Sequence, residues 1–240
     1  MKRLIVAVHQ PNYIPWIGFF DKMDQADIFV ILDTVQHSRT SVTHRNSIKC
    51  PSGSLLLSVP LQNKGQAINQ LMINEDHNWN DNHWKSIAYN YRRSKYWELY
   101  EDDFKQIYQS NWKHLVDLNM SIIQLVINIL KIETNVVKES TFPVDMGVGS
   151  SRIVNICKHI GATTYLSGIG AKAYNDEQQF EQNDINLVYQ EFIHPYYNQQ
   201  WGPFMSHLSV LDLIFNQGPQ SIDIIRNYRN STKKSEVYNG

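Results

Sequence analysis

Leu4-Ile5-Val6-Ala7-Val8-His9-Gln10-Pro11 and, further on, Ile28-Phe29-Val30-Ile31-Leu32-Asp33 decide the fold. Each is an unbroken apolar run, rich in β-branched residues, that stops at a polar side chain. Such runs are strands buried on both faces, as in a parallel sheet. Between them, Pro11 and Pro15 hold the residues before them extended. Residues 16–23 then supply a helix with Pro15 near its first turn. A strand, a short helix and a strand make a parallel βαβ unit.

The pattern returns in the second half. Residues 152–159 read as a helix capped by Ser150-Ser151 and stopped by Gly161. Residues 163–166 read as a strand, and Ser167-Gly168-Ile169-Gly170-Ala171 as a loop into a further helix. Residues 187–192 are another strand, running into Ile193-His194-Pro195, and residues 209–216 a short helix before Gly218. In between, residues 34–54 are polar. Residues 55–61 and 68–73 read as two strands, a hairpin or an edge extension around Asn63-Lys64-Gly65. Residues 81–130 are helical, with Leu115, Leu118, Ile122, Leu125, Val126 and Ile129 as the clearest apolar stripe. The expected fold class is α/β, a Rossmann-like, mainly parallel sheet with a mostly helical insertion at about residues 80–132. Residues 1–226 are expected to form one domain and residues 227–240 a polar, frayed tail.

The 240 residues carry 22 Lys+Arg against 23 Asp+Glu, a formal charge of −1, and 42% are hydrophobic. That balance argues against a basic nucleic-acid binder and against a disordered chain. Cys50 and Cys157 have neither metal nor disulfide spacing, which fits a reducing, cytoplasmic setting. Five apolar residues at the start are too few for a signal peptide. The longest apolar stretch, residues 122–132, is broken by Gln124, Asn128 and Lys131, so no membrane span is expected.

Chemistry is expected where the strands end, because open α/β sheets bind ligands beyond their carboxyl ends. His9 and His194 are the acid/base candidates, since histidine titrates near neutrality. Asp33 would orient one of them or hold an amino group. Each histidine has a plainer reading as a loop cap bonded to backbone. Gln10, Tyr13 and Trp16 lie on a proline-stiffened aromatic loop suited to a base or sugar. Arg45 and Lys49 suit phosphate, with a solvated loop as the alternative. Ser167, Gly168, Lys172 and Tyr174 follow a later strand. The chain has no Walker A loop, complete dinucleotide fingerprint or nucleophile elbow, and no spacing that assigns a metal.

The string His9-Gln10-Pro11-Asn12-Tyr13-Ile14-Pro15-Trp16-Ile17-Gly18-Phe19-Phe20-Asp21-Lys22 resembles the signature of the WbqC-like family. So do Leu32-Asp33-Thr34-Val35-Gln36, Arg45-Asn46-Ser47-Ile48-Lys49, the run Tyr165 through Tyr174, and His194-Pro195-Tyr196-Tyr197-Asn198-Gln199 with Leu208-Ser209-Val210-Leu211-Asp212. The resemblance covers residues 5–220 and departs at His44, where the family usually has Asn. It implies work on bacterial surface polysaccharide, in O-antigen clusters, with glycine transfer to an amino sugar as the suggested activity. It adds Gln36, Asn46 and Gln199 to the candidate binding residues. The opening also resembles, more weakly, nucleotidyltransferase-like α/β folds, although Trp16-Ile17-Gly18-Phe19 stands where those have paired histidines.

Three functions are thus expected in order. The first is an aminoacyl or acyl transferase acting on a nucleotide-linked amino sugar, with a carrier-protein or coenzyme A thioester as donor. The second is nucleotidyl transfer or ATP-dependent ligation. The third is a non-catalytic sugar-nucleotide binder.

Overall fold

The computed structural model describes residues 3–38, 41–75 and 78–237, with backbone alone from residue 230. The chain forms two compact units, each assembled from three segments. One comprises Met1–Gln10, Phe19–Asp33 and Ile132–Phe192; the other comprises Pro11–Gly18, Thr34–Lys131 and Ile193–Gly240.

The first unit, the sheet unit, holds five strands: β1 (Ile5–His9), β2 (Ile28–Ile31), β5 (Asn135–Lys138), β6 (Thr164–Gly168) and β7 (Asn186–Gln190). Their order is β5-β2-β1-β6-β7 and every pairing is parallel. The register aligns Val6 with Ile28, Val8 with Val30, and Ala7 with Leu166. The expected α/β class with a Rossmann-like parallel sheet is what forms. From β1 the chain builds outward through β2 to β5, then returns to lay β6 and β7 on the other side. The strand order therefore reverses between β1 and β6.

Alternation along the strands sorts the core. Val6, Val8, Val30 and Tyr165 pack with Val154 and Cys157 of α5 (Gly149–Ile160) and Phe180 of α6 (Glu177–Glu181). Tyr165 and Phe180 stack at 5.5 Å. Phe29 instead meets Phe19 of α1 (Ile17–Asp24), edge to face at 5.1 Å. Gly161 ends α5 with φ of 77°, a left-handed cap that glycine adopts at little cost. Ser150 does not cap α5 as its sequence suggests. Val148 occupies the cap position, and the Ser150 hydroxyl accepts the Asp176 N–H at 2.9 Å.

The second unit, the helical unit, contains α2 (Trp79–Tyr91), α3 (Trp97–Gln109), α4 (Leu115–Leu130), α7 (Val210–Gln217) and α8 (Ser221–Val237). Its hairpin pairs β3 (Arg45–Cys50) with β4 (Gly53–Ser58). The pairing expected between residues 55–61 and 68–73 reduces to one bridge, Leu61 with Ile73, because residues 68–70 close a single 3₁₀ turn. Gly53, with φ of 122°, sits opposite Cys50 and lets β3 and β4 pair through a tight turn. Aromatic packing of Tyr91, Trp97 and Phe104 around Phe215 joins α2, α3 and α7. Ser209 caps α7 by accepting the Leu211 N–H. The segment read as a frayed tail is helical through Val237; residues 238–240 lie outside the described residues.

Candidate functional site

The reversal between β1 and β6 marks the sheet unit's switch point, the place where open α/β sheets bind ligands. His9 ends β1, and Ser167 and Gly168 end β6 next to it. The His9 ring packs against Phe19 at 5.0 Å. Its Nδ1 lies 2.9 Å from the Gln10 carbonyl, which can only accept, so Nδ1 carries the proton and Nε2 the lone pair. Burial, then the charge of Lys22, pushes the imidazole down to about 3. His9 is a neutral acceptor throughout the physiological range.

Lys22 is absent from the residues that sequence reading selects. It lies on α1, 3% exposed, and donates to the Val8 carbonyl at 3.0 Å. The Phe29 ring lies 5.9 Å from its Nζ, and burial draws its pKa down to about 7. The signal was available: Phe19, Lys22 and Met23 follow i, i+3, i+4, so the lysine sits on the helix's apolar stripe. Beside it, Asp21 accepts from Gln25 at 2.8 Å and from Gln190, at the end of β7, at 2.6 Å.

Around this edge, Ser167 is fully buried and accepts from Asn175 Nδ2 at 3.0 Å. Lys172 and Tyr174 occupy the exposed loop after β6, with Lys172 Nζ 5.7 Å from the Tyr189 ring. Asp33, just past β2, accepts the Ser140 N–H at 3.0 Å and the Ser140 hydroxyl at 2.5 Å. Its carboxylate thereby fastens the turn after β5. Gln10 is partly exposed beyond β1.

The remaining candidates belong to the helical unit. Tyr13 is fully buried, its hydroxyl 2.7 Å from both His83 Nδ1 and Tyr108 Oη. Asn46 donates to the Ile14 carbonyl at 2.7 Å and accepts the Ser47 N–H. Lys49 is 1% exposed and donates to Gln199 Oε1 at 2.9 Å and the Pro203 carbonyl at 2.6 Å. Gln36 donates to the Gly65 carbonyl, and Arg45 is half-buried. Trp16 stacks on His207, which lies 5.5 Å from the His194 ring. His194 Nδ1 donates to the Pro195 carbonyl and its Nε2 is buried.

Asp212 is the polar centre of this unit that sequence reading passed over. It is fully buried and accepts from Tyr91 at 3.1 Å and Tyr197 at 2.9 Å. Burial lifts its carboxyl to about 6 against the lowering pull of those hydroxyls and of Lys49. A cleft of about 450 Å³ between α3 and α4 is lined by Asp103, Gln106, Trp112 and Gln124 among others, none of them a sequence candidate. Among the described residues, no three His, Cys, Asp or Glu side chains gather as a metal site. No helix among them is long and apolar enough to cross a membrane.

The model of the WbqC-like protein family matches residues 10–224. The chain belongs to the WbqC-like protein family. It is 32% identical over 226 residues to the uncharacterized protein Rv1507c of Mycobacterium tuberculosis, covering 92% of this chain and 97% of that relative. No solved structure matches it. The family match takes in residues of both units of this WbqC-like chain and begins one residue after β1.

Proposed function

We propose that this WbqC-like chain acts in surface-polysaccharide biosynthesis as an aminoacyl or acyl transferase, forming an amide on an amino sugar carried by a nucleotide. The observation that supports this most is a neutral imidazole beside a buried lysine at the switch point of a nucleotide-binding type of sheet. The nucleotide-linked sugar lies along the carboxyl ends of β1 and β6. Its amine attacks the thioester carbonyl of the acyl donor, a carrier protein or coenzyme A. The C–N bond forms and the C–S bond breaks. The amine proton passes through His9 Nε2 to the departing thiolate. Gln10 and backbone N–H groups stabilise the developing oxyanion. Lys172, on the exposed loop after β6, reaches the phosphates.

The test is to incubate purified protein with UDP- or dTDP-linked amino sugars and glycyl or acyl thioesters, then read amide formation by mass spectrometry. Wild type is expected to give product, and His9→Ala to lose at least about a hundredfold in rate, the scale of one acid/base group. A folded His9→Ala protein with full turnover would remove His9 from the mechanism.

The strand order also favours a second reading, nucleotidyl transfer. Release of pyrophosphate from ATP or CTP with Mg²⁺ in the presence of a sugar phosphate, without amide formation, would replace the first reading by this one.

A further inference from the structure

We infer that Lys22 is the anion-binding group of the β1–β6 edge, and that its ammonium receives a phosphate of a nucleoside diphosphate. The inference rests on the nucleotide-linked substrate proposed above and names the contact that would hold it.

An ammonium has three N–H donors. Lys22 spends one, on the Val8 carbonyl, and no other hydrogen bond is made by its Nζ among the described residues. Nor is there a counter-charge. No ion pair with Lys22 is made among the described residues. Asp21 precedes Lys22 in the chain but accepts from Gln25 and Gln190 instead. A buried charge without a partner is costly, and a methionine of similar length would fill the same apolar stripe without that cost. A site that keeps such a charge is one where a ligand supplies the partner.

Gly168 gives that ligand room. A Cβ built on it would stand 3.9 Å from Lys22 Nζ, so Gly168 places no side chain between β6 and the ammonium. Gly168 and His9 are both partly exposed at the strand ends. The groups facing Lys22 do not replace the anion. His9 on β1 is neutral, Gly168 on β6 has no side chain, and the Asp21 carboxylate is bonded by Gln25 and Gln190. Phe29 on β2 adds only a ring face. With its pKa drawn down to about 7 by burial, Lys22 holds its charge only in part at neutral pH without an anion beside it. A bound phosphate restores the proton.

The experiment is calorimetric titration of pyrophosphate, UDP and uridine into wild type, Lys22→Met and Gly168→Ala. Wild type is expected to bind pyrophosphate and UDP, and uridine at least tenfold more weakly. Lys22→Met should weaken UDP roughly 10- to 100-fold, the scale of a charge-assisted hydrogen bond, while melting no lower than wild type. Gly168→Ala, at φ −71° and ψ 144°, accepts alanine without strain and should also weaken UDP. Comparing buffers of different ionisation enthalpy at about pH 8 should show proton uptake with wild type, the uptake expected of a lysine recharged by its ligand. If Lys22→Met fails to fold, Gly168→Ala and the wild-type proton uptake decide. UDP binding by Lys22→Met equal to wild type, uridine binding equal to UDP, or no binding of either phosphate by wild type each overturns the inference. Because no turnover is read, Lys22-dependent UDP binding without amide formation would retain this site and discard the transferase reading.

Discussion

Burial keeps the His9 imidazole neutral down to about pH 3, and that shapes the chain's acid stability. His9, His44 and His83 are lowered to about 3, 4 and 4, each chiefly by burial. Their unfolded counterparts protonate near 6.5, so native stability is full above that pH and is lost as pH falls toward 4. Asp212 works the other way. Its native value of about 6 exceeds the unfolded one, so it favours the native state progressively as pH falls from 6 to 4. Three histidines outweigh one carboxyl. Urea midpoints are therefore expected to fall between pH 6.5 and 4, and Asp212→Asn to fall more steeply because the one compensating group is gone. A flat acid profile would mean these histidines are protonated in the native state. Lys22 has its own window. Its value of about 7 lies below the unfolded 10.5, so stability rises with pH from about 7 to 9, and Lys22→Met should lack that rise.

Elements explain which residues the sequence could disclose. β1, β2 and β6 were readable because strands buried on both faces are continuous apolar runs. β5 is only Asn135-Val136-Val137-Lys138, and β3, Arg45–Cys50, is largely polar, so neither stood out. The strand ends led to His9, Ser167 and Gly168. Lys22 escaped because a lysine inside a helix reads as solvated, and only the packing of α1 shows it buried. Tyr13, on the loop between β1 and α1, and Asn46 on β3 both bond within the helical unit, so a packing role is visible beside the expected ligand role. Ile14, with φ of 35°, is kept in that unusual conformation by its Asn46 contact and by the Tyr13 N–H on the Thr43 carbonyl. Asn119 of α4 spans the carbonyls of Pro11 and Thr43 at 2.8 Å each. Asn119→Ala strands the buried Pro11 carbonyl and removes one of the two donors on that of Thr43, and should cost about 1–3 kcal/mol in urea unfolding; a cost under about 0.5 kcal/mol would show that the loop does not need it. Gly18 lies beneath the Trp16 ring, where a Cβ would come 2.3 Å from the indole. Gly18→Ala should lower stability by about 1–3 kcal/mol through displaced packing, checked by thermal melting.

On the scale of the whole molecule, neither unit is a continuous piece of chain. The sheet needs residues 1–10, 19–33 and 132–192 together. A fragment of residues 1–131 keeps β1 and β2 alone, and two strands without their neighbours are marginal at best. Fragments 1–131 and 132–240 should each show little cooperative unfolding by circular dichroism; a cooperative melt of fragment 132–240 alone would show that β6 and β7 do not depend on β1. The same interleaving places residues from distant parts of the sequence, His9, Lys22 and Gly168, at one edge of one sheet.

That edge is the centre of the account, and a crystal structure of the protein with a bound UDP-linked amino sugar tests it most directly. The account predicts the ligand beyond the carboxyl ends of β1 and β6, with a phosphate oxygen in hydrogen-bond reach of Lys22 Nζ and the sugar amine facing His9 Nε2. A ligand seated instead in the cleft between α3 and α4, with the strand ends untouched, would contradict it.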